Sequence, residues 1–348
     1  MVVITGYEIL EKIYESVNSA VYRGRREEDN QPVIFKVLKQ DCLNPLQLTR
    51  YKQEYEIIRN LEHRGIIKAY DLQQDNSLMM ILEDFGGESL KNLLSQNKFN
   101  LVECLEIACQ ITDSLAQIHA AQVIHKDINP SNIVFNPVNK QLKIIDFGIS
   151  TRLGSEHTVY NSPNALEGTL AYISPEQTGR MNRSLDYRTD FYSLGVTLYE
   201  LFTLQLPFKG DDAMELIHCH LAKQAVSPHE IDRKIPRMVS AIVMKLMAKT
   251  AEERYQSVWG IKADLESCLL QLQSYNCIID FDLGKEDISS QFNISQKLYG
   301  REQENSTLLT AFERITSGDS KTEMILVKGY SGIGKSALVK EIYQPITR

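Results

Sequence analysis

At 348 residues, with 43% hydrophobic and 24% charged side chains, the chain has room for two or three domains with a buried core, and its composition excludes collagen-like, mucin-like and wholly disordered classes. Its 38 Lys and Arg against 45 Asp and Glu give a net charge of −7, a poor balance for a general nucleic-acid or anionic-membrane binder, although a local basic pocket for phosphates is compatible with it. The absence of an apolar run of about 18 residues, of a signal-peptide pattern at the N-terminus and of any C-x-x-C pair among the six cysteines predicts a cytoplasmic chain with no membrane span, reduced thiols and no zinc or disulfide framework.

In chain order, residues 7–14 and 20–25 are short β-rich runs, the polar stretch 27–31 is a hairpin turn, and 32–38 is a third strand. Leu48, Tyr51, Tyr55, Ile58 and Leu61 recur at helical spacing over 47–61. Two more strands follow at 66–73 and 78–84. The stretch 101–121, with Leu105, Ala108, Cys109, Thr112, Leu115 and Ile118, is an amphipathic helix. Short apolar runs at 133–135 and 142–145 precede a polar loop over 150–170, and helices are expected at 187–204, 212–222, 237–249 and 258–271. Residues 274–296 mix polar types without a period and read as a linker. A helix over 298–315 and a strand over 324–328 close the series.

Four segments carry the parts that phosphoryl transfer needs: a cation on the nucleotide phosphates, carboxylates on magnesium and a group orienting the attacking hydroxyl. Val33-Ile34-Phe35-Lys36 ends a predicted strand on lysine, and Glu54 lies on the next helix, where it can pair with Lys36. His125-Lys126-Asp127-Ile128-Asn129-Pro130-Ser131-Asn132 supplies an aspartate and an asparagine, and Asp146-Phe147-Gly148 follows a strand. Each piece alone is weak, but their order on these elements is specific. Residues 7–270 therefore resemble a eukaryotic-type protein kinase catalytic domain: an α+β, two-lobed fold with a β-rich N-lobe and a helical C-lobe. Ser174-Pro175-Glu176 stands where that family has A-P-E, Asp190 to Gly195 resembles its D-x-x-S-x-G helix start, and Arg254 matches the arginine paired with the A-P-E glutamate.

The resemblance implies ATP and Mg2+ as cofactors and a protein serine or threonine as acceptor. Asp127 would be the catalytic base. Lys36, held by Glu54, would neutralise phosphates, and Asn132 and Asp146 would hold magnesium. Val21 and the hinge residues Glu83 and Phe85 would meet the adenine, with Leu82 as gatekeeper, and Ser16 and Ser19 would cover the phosphates. His125 and Phe147 would be packing residues. Thr169 matches a threonine that touches the catalytic loop in serine/threonine kinases.

Departures from the family pattern bear on rate. The glycine-rich loop has Tyr14, Ser16 and Ser19 at its glycine positions, so its backbone cannot bend as closely over phosphates. Lys126 replaces an arginine that meets activation-loop phosphate and lacks its bidentate fork. Asn129 replaces a lysine on the γ-phosphate and brings no charge. These leave a second reading open, a pseudokinase or ATP-binding scaffold. Between Asp146 and Glu176 lie the hydroxyls of Ser150, Thr151, Ser155, Thr158, Tyr160, Ser162, Thr169 and Tyr172, most of them expected to be merely solvated and none singled out as a modification site.

Gly329-Tyr330-Ser331-Gly332-Ile333-Gly334-Lys335-Ser336 fits G-x-x-x-x-G-K-[ST], with a predicted strand before it and a helix pattern after it. Gly329, Gly334, Lys335 and Ser336 are the candidate phosphate ligands. Gly300-Arg301-Glu302 upstream resembles the start of AAA-type and STAND-type ATPase modules. With the sequence stopping at Arg348, we expect 298–348 to be an incomplete P-loop α/β fragment after a linker at 271–297, and NTPase activity there to be the weakest of three readings. The whole resembles the N-terminal part of large bacterial, notably cyanobacterial, multi-domain kinases, which implies signalling.

Overall fold

The computed structural model describes residues 5–39, 45–74, 78–96, 99–152, 168–180, 185–210, 212–288, 300–316, 322–330 and 335–340. The small lobe is built on strands β1 (Tyr7–Glu15), β2 (Ser19–Arg26), β3 (Pro32–Leu38), β4 (Ala69–Gln74) and β5 (Leu78–Glu83), with helix α1 (Pro45–Arg59) between β3 and β4. The strands form one antiparallel sheet in the order β1-β2-β3-β5-β4. Alternation along β3 sorts its side chains: Val33, Phe35 and Val37 join Met79 and Ile81 in a small cluster on one face. Ile34 and Leu38 join the main core with Tyr51, Tyr55 and Ile58 of α1, and Lys36 shares their face. In α1 the buried residues include Tyr51, Glu54, Tyr55 and Ile58, one stripe at i, i+3, i+4 and i+7. That stripe brings the carboxylate of Glu54 under the sheet beside Lys36. The expected strand at 66–73 begins at Ala69, and Ile66 instead makes an isolated bridge to Ile144.

The large lobe opens with β6 (Glu88–Ser89), α2 (Leu90–Gln96) and α3 (Leu101–Ala120), the last started by an Asn100/Glu103 capping box. Short strands follow: β7 (Val123–Ile124), β8 (Ile133–Asn136), β9 (Gln141–Ile144) and β10 (Thr151–Arg152). They pair as β6-β8-β9 and β10-β7, antiparallel throughout. Helices α4 (Arg188–Thr203), α5 (Ala213–Ala222), α6 (Pro228–Ile231), α7 (Arg237–Leu246) and α8 (Val258–Tyr275) complete the lobe. Helix α3 packs along α8, and α4 along α7. Gly195 makes the second contact possible: a Cβ there would lie 2.8 Å from that of Leu246.

Helix α8 runs to Tyr275, four residues past its expected end at 271, and Asn276 caps it at φ 53°. The following stretch, expected to be a linker, turns back along the helix as far as it is described. Ile278, Phe281 and Leu283 pack against the core, the Gly284 N–H donates to Asp264 at 2.8 Å, and Asp287 reaches the start of α8. Its carboxylate accepts from the N–H groups of Gln256 and Ser257, both at 2.8 Å, and from the Ser257 hydroxyl at 2.9 Å. Such a strap has no hydrophobic period to read, because single carboxylates and scattered apolar side chains hold it.

Farther on, α9 (Glu302–Thr316) and α10 (Lys335–Lys340) are helical. The expected strand at 324–328 makes no ladder among the described residues. Its apolar pattern favours extended chain, but a strand needs a neighbour to take its backbone hydrogen bonds.

Replacing Asp287 with alanine leaves the donors at the start of α8 without their acceptor, and is expected to lower unfolding free energy by about 1–3 kcal/mol. A urea titration of Asp287→Ala beside the parent chain checks this, and an unchanged midpoint would show that the strap adds no stability.

Candidate active site

Asp190, in the first turn of α4, is fully buried and organises the catalytic loop. Its carboxylate accepts from the backbone N–H of His125 at 2.9 Å and of Lys126 at 2.7 Å, and lies 2.8 Å from His119 Nε2. Burial alone would push its carboxyl upward; His119, His125 and these bonds outweigh that and hold it below the usual carboxylate range. Lys126 takes φ 69°, a left-handed conformation uncommon for a non-glycine residue. Asp127 follows it, and both its carboxylate oxygens are engaged: Oδ1 by the Thr169 N–H at 2.9 Å, Oδ2 by Asn132 Nδ2 at 2.8 Å. Asn129 is 1% exposed, and its amide donates to the Asp127 carbonyl at 3.1 Å and the Thr169 hydroxyl at 3.2 Å. It is therefore part of the loop's internal framework.

The second centre is Lys36. Its ammonium lies 2.7 and 2.9 Å from the two oxygens of Glu54 and 2.9 Å from Asp146 Oδ1. Burial would lower the lysine's pKa; the carboxylates of Asp146 and Glu54 more than reverse this, so it stays charged. Burial raises the Glu54 carboxyl, whereas Lys36 pulls that of Asp146 down. One ammonium thus serves two carboxylates, and Asp146, with a half-exposed side chain, is the one open to a cationic ligand. Asp146 takes φ 64°. Phe147 is buried and stands edge-on to the His125 ring with centroids 4.8 Å apart. Tyr51, whose role sequence reading missed, donates to the Lys36 carbonyl and accepts from the Met80 N–H at 3.1 Å. Its place in the apolar stripe of α1 is the only sign of it in the sequence.

At the end of the cleft where the adenine is expected, Val21 pairs with Lys36 across β2 and β3, and Leu82 with Ile34 across β5 and β3. The hinge is braced from within. Glu83 meets the buried Lys143 at 2.5 Å, Asp84 meets Arg23 at 2.6 Å, and the Phe85 carbonyl accepts from Asn136 at 2.7 Å. In the β1–β2 turn, Ser16 Oγ accepts from the Ser19 N–H at 3.0 Å, the two hydroxyls are 3.2 Å apart, and the Ser16 N–H bonds the Ser19 carbonyl at 2.8 Å. The serines thus close the turn on itself, and Tyr14 points outward, 62% exposed.

Below the cleft, Arg254 and Glu176 form a sealed, two-pronged pair at 2.6 and 2.8 Å. The guanidinium also donates to the carbonyls of Ala248, Arg188 and Lys249. Burial pushes the Glu176 carboxyl up, and Arg254 with the Thr189 hydroxyl brings it below its ordinary value. The Tyr172 hydroxyl donates to Glu200. Ser155, Thr158, Tyr160 and Ser162 lie outside the described residues.

Of the P-loop set, Gly334 and the Ser336 side chain lie outside the described residues. The Lys335 ammonium donates to the carbonyls of Gly329 at 2.9 Å and Tyr330 at 2.7 Å. It lines a cavity of about 260 Å³ with Arg301, Thr307 and Lys328.

Among known proteins, the model of the protein kinase domain family matches residues 7–266, and that of the AAA ATPase domain matches residues 297–348. A probable serine/threonine-protein kinase of Clostridium perfringens is 32% identical over 263 residues, covering 75% of this chain and 38% of that protein. The serine/threonine-protein kinase PrkC of Bacillus subtilis is 30% identical over 264 residues, 75% of this chain and 40% of its own. Hybrid signal transduction histidine kinase G of Dictyostelium discoideum is 32% identical over 324 residues, 68% of this chain and 9% of its own. The chain spans 40% or less of the length of each of these relatives. Two lobes joined through Lys36 and Asp146, within a span that one family model covers, have a single reading: the chain belongs to the protein kinase domain family.

Proposed function

We propose that the chain is a serine/threonine protein kinase that transfers the γ-phosphate of ATP to a protein hydroxyl. The observation that carries this reading is the simultaneous closure of two networks, Lys36 with Glu54 and Asp146, and Asp127 with Asn132 and Thr169. The first presents a permanent cation to nucleotide phosphates. The second holds a carboxylate that accepts the acceptor's proton and orients its oxygen. Thr169 beside Asp127, and the names of the bacterial relatives, support serine or threonine as acceptor.

The donor set suits magnesium: a carboxylate on Asp146 and an amide oxygen on Asn132 are hard ligands, and two protein ligands fit a cation that shares its sphere with phosphates and water. Asp146 and Asn132 would hold magnesium there, and it would supply charge neutralisation on the phosphates. Asn132 directs its amide N–H groups to Asp127, which commits its other end to oxygen donation. Asn129 is spent within the loop, so we expect slower transfer than where a lysine stands at that position. We take the catalytic domain to include the strap through residue 288. We read the whole as a signalling kinase, with the AAA-matching segment belonging to a separate module.

Labelled ATP, Mg2+ and casein test the reading. Asp127→Ala is expected to lower kcat by about 10²–10⁴-fold with little change in KM for ATP, since Asp127 faces the acceptor. Chelation should abolish incorporation and added Mg2+ restore it. Equal incorporation by parent and variant would remove Asp127 from its role. Deletion after residue 296 should leave specific activity unchanged; loss of ATP turnover would instead assign it to the P-loop segment.

A further inference from the structure

We infer that Gln177 is a positioning residue for the transfer step, its side-chain amide holding the peptide that aims Asp127. The inference rests on the phosphotransfer reading above. Gln177 sits in the 3₁₀ turn Pro175–Thr178, in the third position after the N-cap Ser174. Its Oε1 accepts from the Ser174 N–H at 3.0 Å and the Ser174 hydroxyl at 2.9 Å. This is a capping box, which needs only the side-chain oxygen and is served equally by glutamate. The amide nitrogen is surplus to the cap. It donates at 2.8 Å to the carbonyl of Lys126, 51 residues away in the sequence.

That carbonyl belongs to the left-handed residue immediately before Asp127. Its N–H is held by Asp190, so Gln177 fixes the other end of the same residue. Gly168, at φ 102°, leaves room for the contact: a Cβ there would stand 3.3 Å from the Lys126 carbonyl and 3.6 Å from Gln177 Nε2. Turning the Lys126–Asp127 peptide would carry the Asp127 carboxylate away from the Thr169 N–H and from Asn132, and transfer rates are sensitive to such displacements. The tie joins neutral groups, so it acts whether or not the activation segment carries phosphate.

Gln177→Glu separates the two duties. Ionised glutamate keeps the cap but turns lone pairs toward the Lys126 carbonyl; protonated, it can donate again. With casein as acceptor at pH 8, kcat of Gln177→Glu is expected to be about ten-fold lower, with KM for ATP within about two-fold. Parental kcat, or a rise in KM for ATP that accounts for the whole loss, would overturn the inference. If the variant melts below the assay temperature, Gln177→Met, which lacks both cap and amide, is compared with Ser174→Ala, which disturbs the cap alone: a loss of kcat at constant KM for ATP in the first alone supports the inference, and equal kcat in the two overturns it. Absence of transfer by the parent chain would overturn the phosphotransfer reading itself, and with it this one.

Discussion

A carboxylate with no access to water, that of Asp190, is the point from which the active site hangs. Removing a charge from solvent is costly unless hydrogen bonds replace its hydration, and here the catalytic loop supplies them. The loop is bent into an otherwise unfavourable shape, with Lys126 left-handed, because its two N–H groups satisfy that buried charge. The bend then fixes what flanks it. His125 is turned inward as a ring for Phe147 to pack against, and Asp127 is turned outward into the cleft. Folding energy and catalytic geometry are one quantity at this spot, since neither the loop nor the carboxylate is stable alone.

The other ion pairs divide by what is left over once they form. Arg254 and Glu176 neutralise each other in a sealed site and spend their remaining donors on backbone carbonyls, so the pair locks the base of the activation segment and offers nothing to a ligand. Losing either partner would strand a buried charge. Lys36 faces Glu54 and Asp146 together, which leaves one formal negative charge in excess. On the proposed reading, that excess suits a cation arriving with phosphates. The same chemistry, lysine or arginine with carboxylate, serves as a rivet in one place and as an unfinished coordination site in the other.

How far the sequence discloses this depends on the range of each contact. The strands of the small lobe and the long helices were legible because burial on one face writes a period into the chain. That Lys36 would meet Glu54 and Asp146, and Asp127 lie beside Asn132, was legible because the expected phosphate chemistry restricts residue type at spaced positions. Tyr51 looked like one more apolar tooth of α1, and nothing local distinguishes it from Tyr55. Ser16 and Ser19 suggested hydroxyls offered to phosphate, yet the Ser16 hydroxyl bonds the Ser19 backbone and the two hydroxyls lie 3.2 Å apart, since a short turn satisfies its own polar groups first. Asp287 stood in an aperiodic polar stretch, and only the three-dimensional return of the chain gives it partners. Residues 324–328 carry a strand pattern, but a ladder is a property of two segments and cannot be read from one.

That return has a mechanical consequence. Helix α8 is 18 residues long, about 27 Å at 1.5 Å per residue, and the strap carries the chain from its far end back to its beginning. A load applied beyond residue 288 therefore meets the kinase at Gln256 and Ser257, two or three positions from Arg254, and not at the fraying end of the helix. The force would be borne in shear by the Asp287 bonds, and passed into the segment whose guanidinium grips Glu176. The attachment point of whatever follows is thus set at the foot of the activation segment.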